Sequence, residues 1–172
     1  MGRGIAIAAM AGAVAALASC NTSGCLDNRS SLPLAEFRSS STDKAISVDS
    51  LEVVGVDAPD GAVLSEAKPA KSQLYLPMRS TRNSTSWRFV YRQKALEAAG
   101  VEDVITFDYE SIPYFASEEC GATYRYRVTS VDYTDNVIDR VVMADSLITN
   151  VDKVSILIYF RTAEPEGEGA GQ

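Results

Sequence analysis

A length of 172 residues, of which 46% are hydrophobic and 23% charged, fits one soluble globular domain with room for a hydrophobic core. The net charge of −7 argues against nucleic-acid binding, because a nucleic-acid binder normally carries a basic surface. The sequence contains no histidine, which removes the commonest general base, proton shuttle and metal ligand together.

Residues 1–19 differ from the rest of the chain and predict a signal peptide. One arginine, Arg3, is followed by an alanine-rich apolar run without charge, which is short for a membrane-spanning helix and typical of a secretory leader. Residues 17–20, LASC, resemble a bacterial lipobox, which implies acylation of Cys20 and cleavage before it. A plain signal peptide cut near Ala18 is the alternative.

The three cysteines then divide into one lipidation site and one candidate pair. If Cys20 carries lipid, Cys25 and Cys120 remain in an oxidising compartment, where a Cys25–Cys120 disulfide would tie the N-terminal segment to the middle of the domain. Two unpaired thiols are the alternative. A catalytic Cys120 or a zinc site is disfavoured because no histidine is present. The sequence therefore predicts no catalytic, cofactor-binding or metal-binding residues.

Residues 33–161 predict an all-β domain between a polar tether, 20–32, and a disordered tail, 162–172, rich in Gly and Glu. Short segments alternate between apolar and polar residues and are bounded by turn residues, which is typical of strands. The predicted strands are Leu34–Arg38, Ala45–Val48, Leu51–Val56, Gln73–Leu76, Ser86–Arg92, Val104–Tyr109, Tyr114–Ala116, Ala122–Val131, Asp139–Met143 and Val154–Arg161. This pattern favours an antiparallel β-sandwich, with an immunoglobulin-like arrangement as the first hypothesis.

One short helix is predicted near 93–99, where good helix formers are followed by Gly100. Residues 110–113, ESIP, and 132–136, DYTDN, predict turns. The acidic spacing from Asp132 to Asp139 could supply oxygen ligands to calcium, but it lacks the glycine and the terminal glutamate of an EF-hand loop. A turn closed by its own Asp and Asn side chains is the favoured interpretation.

The alternation also predicts which side chains face the core. In residues 122–131, Tyr124, Tyr126 and Val128 are expected to point inward, with the arginines between them in water. Gly121 is expected to permit a close backbone approach beside Cys120.

Residues 103–128, DVITFDYESIPYFASEECGATYRYRV, resemble the signature of a family of uncharacterised Bacteroidetes lipoproteins: D-x-I-T-F-x-Y, then P-x-F, then C-G-x-x-Y. The segments KAISVDSLEVVGV and VSILIYF resemble two further blocks of that family. The helical insert at 92–101 departs from the tight hairpin expected there. The resemblance implies an exported lipoprotein and a topology, and it carries no activity.

Together these patterns predict a non-enzymatic interaction module on the outer membrane, held by the lipid on Cys20 and serving an envelope protein partner. An acidic cluster after the acylated cysteine, the expected surface-export signal, is absent from CNTSGCLD, which favours the periplasmic side over the cell surface. One alternative is a glycan-binding lipoprotein, which requires an exposed aromatic row of Trp87, Tyr91 and Tyr114. Another is a hydrolase, which requires two converging carboxylates.

Overall fold

The computed structural model describes residues 30–58, 61–118 and 121–162. Within these ranges the chain forms ten strands and one short helix. They are β1 (Leu34–Ser39), β2 (Leu51–Gly55), β3 (Val63–Ser65), β4 (Gln73–Tyr75), β5 (Ser84–Tyr91), α1 (Lys94–Ala98), β6 (Glu102–Ser117), β7 (Gly121–Tyr133), β8 (Ile138–Met143), β9 (Leu147–Ile148) and β10 (Val154–Phe160). No helix in the described ranges is long and apolar enough to cross a membrane.

Two sheets enclose the core. One has four strands in the order β4-β1-β10-β8, and the other has six in the order β3-β2-β5-β6-β7-β9. The buried side chains of both sheets form one apolar cluster, so the predicted all-β sandwich with one short helix is confirmed. This strand order does not establish the immunoglobulin-like arrangement.

One strand pair departs from the predicted antiparallel arrangement. β1 and β10, the first and last described strands, run parallel, with Leu34 opposite Val154 and Ser39 opposite Phe160. A 2.8 Å hydrogen bond between the hydroxyls of Ser39 and Thr162 continues this contact past the strand ends. The described chain therefore enters the sandwich at one end and leaves it at the other.

The inward-facing residues of β5 confirm the alternation in its sequence. Trp87, Phe89 and Tyr91 are all buried, while Arg88 lies on the opposite face. β10 is buried on both faces, as expected for an apolar run between two neighbouring strands.

β6 is one long strand of a hairpin with β7, where the sequence predicts two strands, Val104–Tyr109 and Tyr114–Ala116, separated by a turn at 110–113. The predicted turn is wrong, because the ladder is continuous there, with Ser111 opposite Tyr126 and Pro113 opposite Tyr124. β5 pairs with β6 only as far as Asp108, so Pro113 lies where β6 has no ladder on its other side. A proline is tolerated at such an edge, because no ladder hydrogen bond is lost there.

One predicted strand is absent from the described residues, and two short strands are present that the sequence does not predict. The predicted strand Ala45–Val48 is wrong, since only isolated bridges occur there, from Arg38 to Ala45 and from Val48 to Lys71. The short strands β3 and β9 were not predicted, because runs of three and two residues show no periodicity.

The predicted helix is confirmed as Lys94–Ala98, and Gly100 ends it as expected. Gly100 has a φ of 64°, and its N–H donates to the carbonyl of Glu97 over 3.0 Å. The next N–H, on Val101, donates to the carbonyl of Leu96, also over 3.0 Å. These two bonds form a Schellman cap, which requires the left-handed backbone that glycine adopts without strain.

Candidate functional site

A polar groove runs along the outer face of the six-stranded sheet, beside the start of β5. Its volume is about 690 Å³, and it is open to solvent. Side chains from the loop before β5 and from β5, β6 and β7 line it, among them Arg82, Asn83, Ser84, Asp108, Glu110 and Thr129. We refer to these six residues as the polar groove.

A bulge in the β6–β7 ladder shapes this groove. The register shifts between Asp108 and Tyr109, so Asp108 lies opposite Ser130 while Tyr109 lies opposite Val128. Thr129 is the extra residue on β7, and its hydroxyl donates to the Asp108 carbonyl over 3.1 Å. The Ser130 hydroxyl donates to the Asp108 carboxylate over 2.9 Å. The bulge therefore turns polar side chains of two strands toward one place.

Carboxylates do converge in the groove, since Asp57 joins Asp108 and Glu110 in its lining. A carboxylic acid that works as a general acid near neutral pH requires a desolvated position. The Glu110 side chain is 63% exposed, and its carboxylate lies 3.5 Å from the Arg127 guanidinium. The groove is therefore suited to hydrogen bonding and ion pairing with a polar ligand, and lacks the burial that acid catalysis needs.

Two arginines outside the groove, Arg88 within β5 and Arg92 just after it, lie close to carboxylates. Arg92 forms ion pairs with Glu52 at 2.7 Å and with Glu97 at 3.2 Å, and Arg88 lies 3.9 Å from Glu102. Such exposed pairs contribute little to stability, but they reduce the positive charge offered to an anion.

Asp103 is a buried carboxylate on the inner face of β6, where the alternation of Ile105 and Phe107 predicts an apolar side chain. It is completely buried, with a relative exposure of 0%. Five donors reach it at 2.7–3.0 Å: the hydroxyls of Tyr91 and Thr134 and the backbone N–H groups of Asn136, Val137 and Ile138. The carboxylate thus fastens the loop between β7 and β8 to the start of β6.

The same bonds determine the charge state of Asp103. Burial alone raises the pKa of this carboxyl, but the hydrogen bonds from Ile138, Thr134, Tyr91 and Val137 outweigh it, and the net pKa lies below the usual value. Asp103 is therefore an ionised structural group with its lone pairs satisfied by neutral donors. The period-two pattern of Ile105 and Phe107, extended back by two residues, places Asp103 at an inward position. An acidic residue at that position is the sequence signal for this buried carboxylate.

The 132–139 segment serves this structural contact as well. The Asn136 N–H donates to Asp103, and the side chains of Asp135 and Asp139 lie within 3.9 Å and 3.5 Å of the Arg161 guanidinium. No group of three or more potential metal ligands occurs in the described residues. The predicted turn at 132–136 is partly wrong, because Asp132 and Tyr133 belong to β7. The polar side chains that follow bond distant segments and not their own backbone, since Asn136 Nδ2 donates to the Glu102 carbonyl over 2.8 Å.

The aromatic row required for glycan stacking is not on the surface. Trp87 and Tyr91 are buried in the core, so this part of the glycan hypothesis is wrong. Tyr114 is half-buried beneath the Arg125 guanidinium, which lies 3.5 Å from the ring centroid. Tyr124 shares the inward face of β7 with Tyr126, as predicted, but its side chain is 41% exposed, so it lies beyond the buried core.

The three predicted cysteine sites, Cys20, Cys25 and Cys120, lie outside the described residues, as do the signal peptide at 1–19 and the tail from 163. The tether, 20–32, is described only from Ser30. Gly121, the first described residue after Cys120, has a φ of 72°, and among the described residues no atom lies within 4 Å of an added Cβ. The positive φ is one reason that glycine suits this position, and the close backbone approach beside Cys120 stays a prediction.

Comparison with known families identifies the chain. Residues 50–160 match the model of a family of unknown function, DUF6452. The chain belongs to this family. The DUF6452 match begins just before β2 and ends with β10, so it includes Asp103 and the polar groove and leaves β1 outside. No curated protein and no solved structure matches the chain.

Proposed function

We propose that this DUF6452 protein is a lipid-anchored component of the bacterial outer membrane, facing the periplasm, whose domain is a non-enzymatic binding module. The polar groove is the observation that supports a binding role. With Asp57 it gathers one guanidinium, three carboxylates, an amide and the hydroxyls of Ser84 and Thr129 at one place on the outer face of the sheet and the loop before β5. Charged and hydrogen-bonding groups arranged in this way give specificity for a partner with complementary polar groups.

A protein segment is the partner that these groups favour. The carboxylates of Asp108 and Glu110, with Arg82 beside them, can pair with the backbone amides and basic side chains of an envelope protein. Sugar binding commonly adds an exposed aromatic ring, and Trp87 and Tyr91 are buried. The glycan-binding alternative therefore has less support.

The lipid anchor is supported by the LASC sequence at 17–20. A diacylglycerol on the Cys20 sulfur and an amide-linked acyl chain would together give the two signals that stable membrane anchoring requires. The intact mass of the protein from membranes tests this proposal. We expect a chain beginning at Cys20 that carries acyl mass, whereas C20S should keep residues 1–19 and carry no lipid. An unmodified wild-type N-terminus would refute the anchor.

Site-specific photo-crosslinking in cells tests the binding role. A photoreactive residue replaces Thr129 in the polar groove, and a matched variant carries it at Val142, an exposed position on β8 in the other sheet. We expect mass spectrometry to identify one envelope protein that is captured from position 129 and absent from position 142. Identical captures at both positions, or none, would contradict the proposal. A saccharide adduct at position 129 would replace it with the glycan alternative.

A further inference from the structure

Exposed apolar side chains gather at the end of the sandwich where the described chain begins. We define the apolar end as Leu32, Tyr75, Phe115, Tyr124 and Val151, which are all exposed. Leu32, Tyr75 and Val151 line one groove of about 350 Å³, to which Ser30 also contributes. The groove lies where β4 ends and where β1 and β10 begin.

The β6–β7 hairpin supplies the other two residues. Tyr126, Tyr124 and Ala122 share one face of β7, and Phe115 lies opposite Ala122 on β6. Burial on this face decreases toward the hairpin tip, because Tyr126 is buried, Tyr124 is 41% exposed and Phe115 is 64% exposed. The hairpin therefore extends the apolar inner face of the sheet beyond the core.

Ser31 joins the two parts of the apolar end. Its hydroxyl donates to the carbonyl of Tyr124 over 2.6 Å, and its chain neighbour Leu32 lines the groove. The apolar end is therefore one continuous region of the domain. Its rim carries charge, since the Arg125 guanidinium stacks on Tyr114 and Asp152 accepts a hydrogen bond from the Tyr75 hydroxyl.

The length of the preceding chain determines which end of the domain lies near an anchor on Cys20. Nine residues, 21–29, separate the lipidation site Cys20 from Ser30, and the ten residue steps between them span at most about 35 Å when fully extended. β6 alone, with 16 residues, is about 50 Å long. The apolar end is thus the part of the domain that the tether holds closest to the bilayer.

We propose that the apolar end rests on the membrane surface, with Phe115 and Tyr124 at the interface between lipid headgroups and acyl chains. This inference depends on the proposed lipid anchor. The Tyr124 ring, with one apolar and one polar end, favours that interface, the apolar Phe115 ring favours the acyl-chain side of it, and the charged rim stays at headgroup level. The tether itself is poorly suited to bury the apolar end in place of the membrane. Residues 21–29, NTSGCLDNR, contain only Leu26 as a large apolar side chain.

Quenching of tryptophan fluorescence by brominated lipids tests the contact. The lipidated full-length protein is reconstituted into phosphatidylcholine vesicles with brominated or ordinary acyl chains, as F115W or as the matched control Y133W. Tyr133 is 38% exposed and lies at the other end of β7, nine residues or about 30 Å from Tyr124. The native Trp87 is buried and contributes equally to both variants.

We expect F115W to lose most of its added emission in brominated vesicles and to shift to shorter wavelength on reconstitution, while Y133W does neither. Equal behaviour of the two variants, with both proteins floating with the vesicles, would overturn the membrane contact and leave the anchor intact. An emission of F115W that is already blue-shifted before reconstitution and stays unquenched would show that protein covers the patch, which also overturns the proposal. Failure of both variants to float would refute the anchor, and the contact with it.

Discussion

The Ser31 hydroxyl donates a 2.6 Å hydrogen bond to the carbonyl of Tyr124, and this bond joins the segment before β1 to the start of β7. Ser31 follows Cys25 by six residues, and Tyr124 follows Cys120 by four. Extended segments of these lengths reach about 20 Å and about 13 Å. These lengths are compatible with a contact between Cys25 and Cys120, and the disulfide between them stays a prediction.

We expect the mature protein to contain one Cys25–Cys120 disulfide. Its intact mass should rise by two hydrogens on reduction, and C25S and C120S should each abolish that rise. Because the bond closes a loop of nearly a hundred residues, its removal should lower the free energy of unfolding by at most about 4–5 kcal/mol. Alkylation of both thiols in unreduced, denatured wild-type protein would contradict the prediction.

D103N should be the most destabilising single change among the carboxylates discussed. Five donors point at the Asp103 carboxylate, and an amide in its place would direct N–H groups at some of them. We expect a loss of about 3 kcal/mol or more in urea unfolding at pH 7. The matched control is D108N, a partly exposed carboxylate on the outer face with one hydrogen bond, from the Ser130 hydroxyl, which should cost no more than about 1 kcal/mol. Equal effects of the two changes would refute the structural role of Asp103.

The pH dependence of stability should report the same carboxylate. Because folding lowers the pKa of Asp103, its charged form stabilises the fold at pH values above the unfolded pKa of about 4. That contribution is lost as the pH falls through the folded pKa. The difference in free energy of unfolding between wild type and D103N should therefore shrink as the pH falls below about 4. A difference that stays constant with acidification would mean that Asp103 is not ionised in the fold.

Tyr91 and Asp103 should be energetically coupled. The buried Tyr91 hydroxyl donates to the Asp103 carboxylate over 2.7 Å, and burial followed by this bond raises the pKa of the phenol. Y91F alone should cost about 1.5–3 kcal/mol, the usual range for a hydrogen bond to a charged group. In the D103N background we expect a clearly smaller cost, measured as a double-mutant cycle in urea. Strictly additive losses would show that the hydrogen bond contributes nothing measurable.

Y109F should loosen the loop that forms one wall of the polar groove. The Tyr109 hydroxyl bonds to the Thr85 hydroxyl at 2.7 Å and to the N–H and carbonyl of Arg79 at 2.9 Å and 3.0 Å. We expect faster amide hydrogen exchange at Arg79 and a cost of about 1 kcal/mol. Y126F is the matched control, because the Tyr126 ring packs edge-on against Tyr109 but its hydroxyl reaches only the Met78 carbonyl at 3.4 Å. Identical exchange in both variants would contradict the prediction.

The sequence predicts the faces of the central strands because their alternation is determined by local geometry. Trp87, Phe89 and Tyr91 occupy the inward positions that a period of two assigns to them. The same rule gives the direction of the Tyr124 side chain and not its burial, because burial depends on how far the opposite sheet extends. The alternation likewise gives the inward direction of Asp103 but not its hydrogen bonds. Its five donors lie on β5 and on the segment 134–138, which only the folded structure brings next to it.

The candidate site was less predictable than the strands around it. The polar groove depends on the bulge at Asp108 and on the meeting of the 82–84 segment with Thr129, and neither follows from local periodicity. Pro113 contributes to the predicted turn at 110–113, but a proline is also compatible with a continuous strand where the strand has no neighbour on one side, as β6 has here. The parallel pairing of β1 with β10 joins the two ends of the domain, which short-range patterns do not report.

That parallel pairing has a consequence for biogenesis. β1 is made first, yet it lies between β4 and β10, so the smaller sheet cannot close until the last strand has been synthesised. Contacts between such distant parts of a chain slow folding and prolong the time during which apolar strand faces are exposed. A nascent chain that lacks β10 has β1 and β8 without their shared neighbour and the larger sheet only partly covered. The smaller sheet is therefore completed only after β10 has been synthesised, and truncation within that strand is expected to cause aggregation.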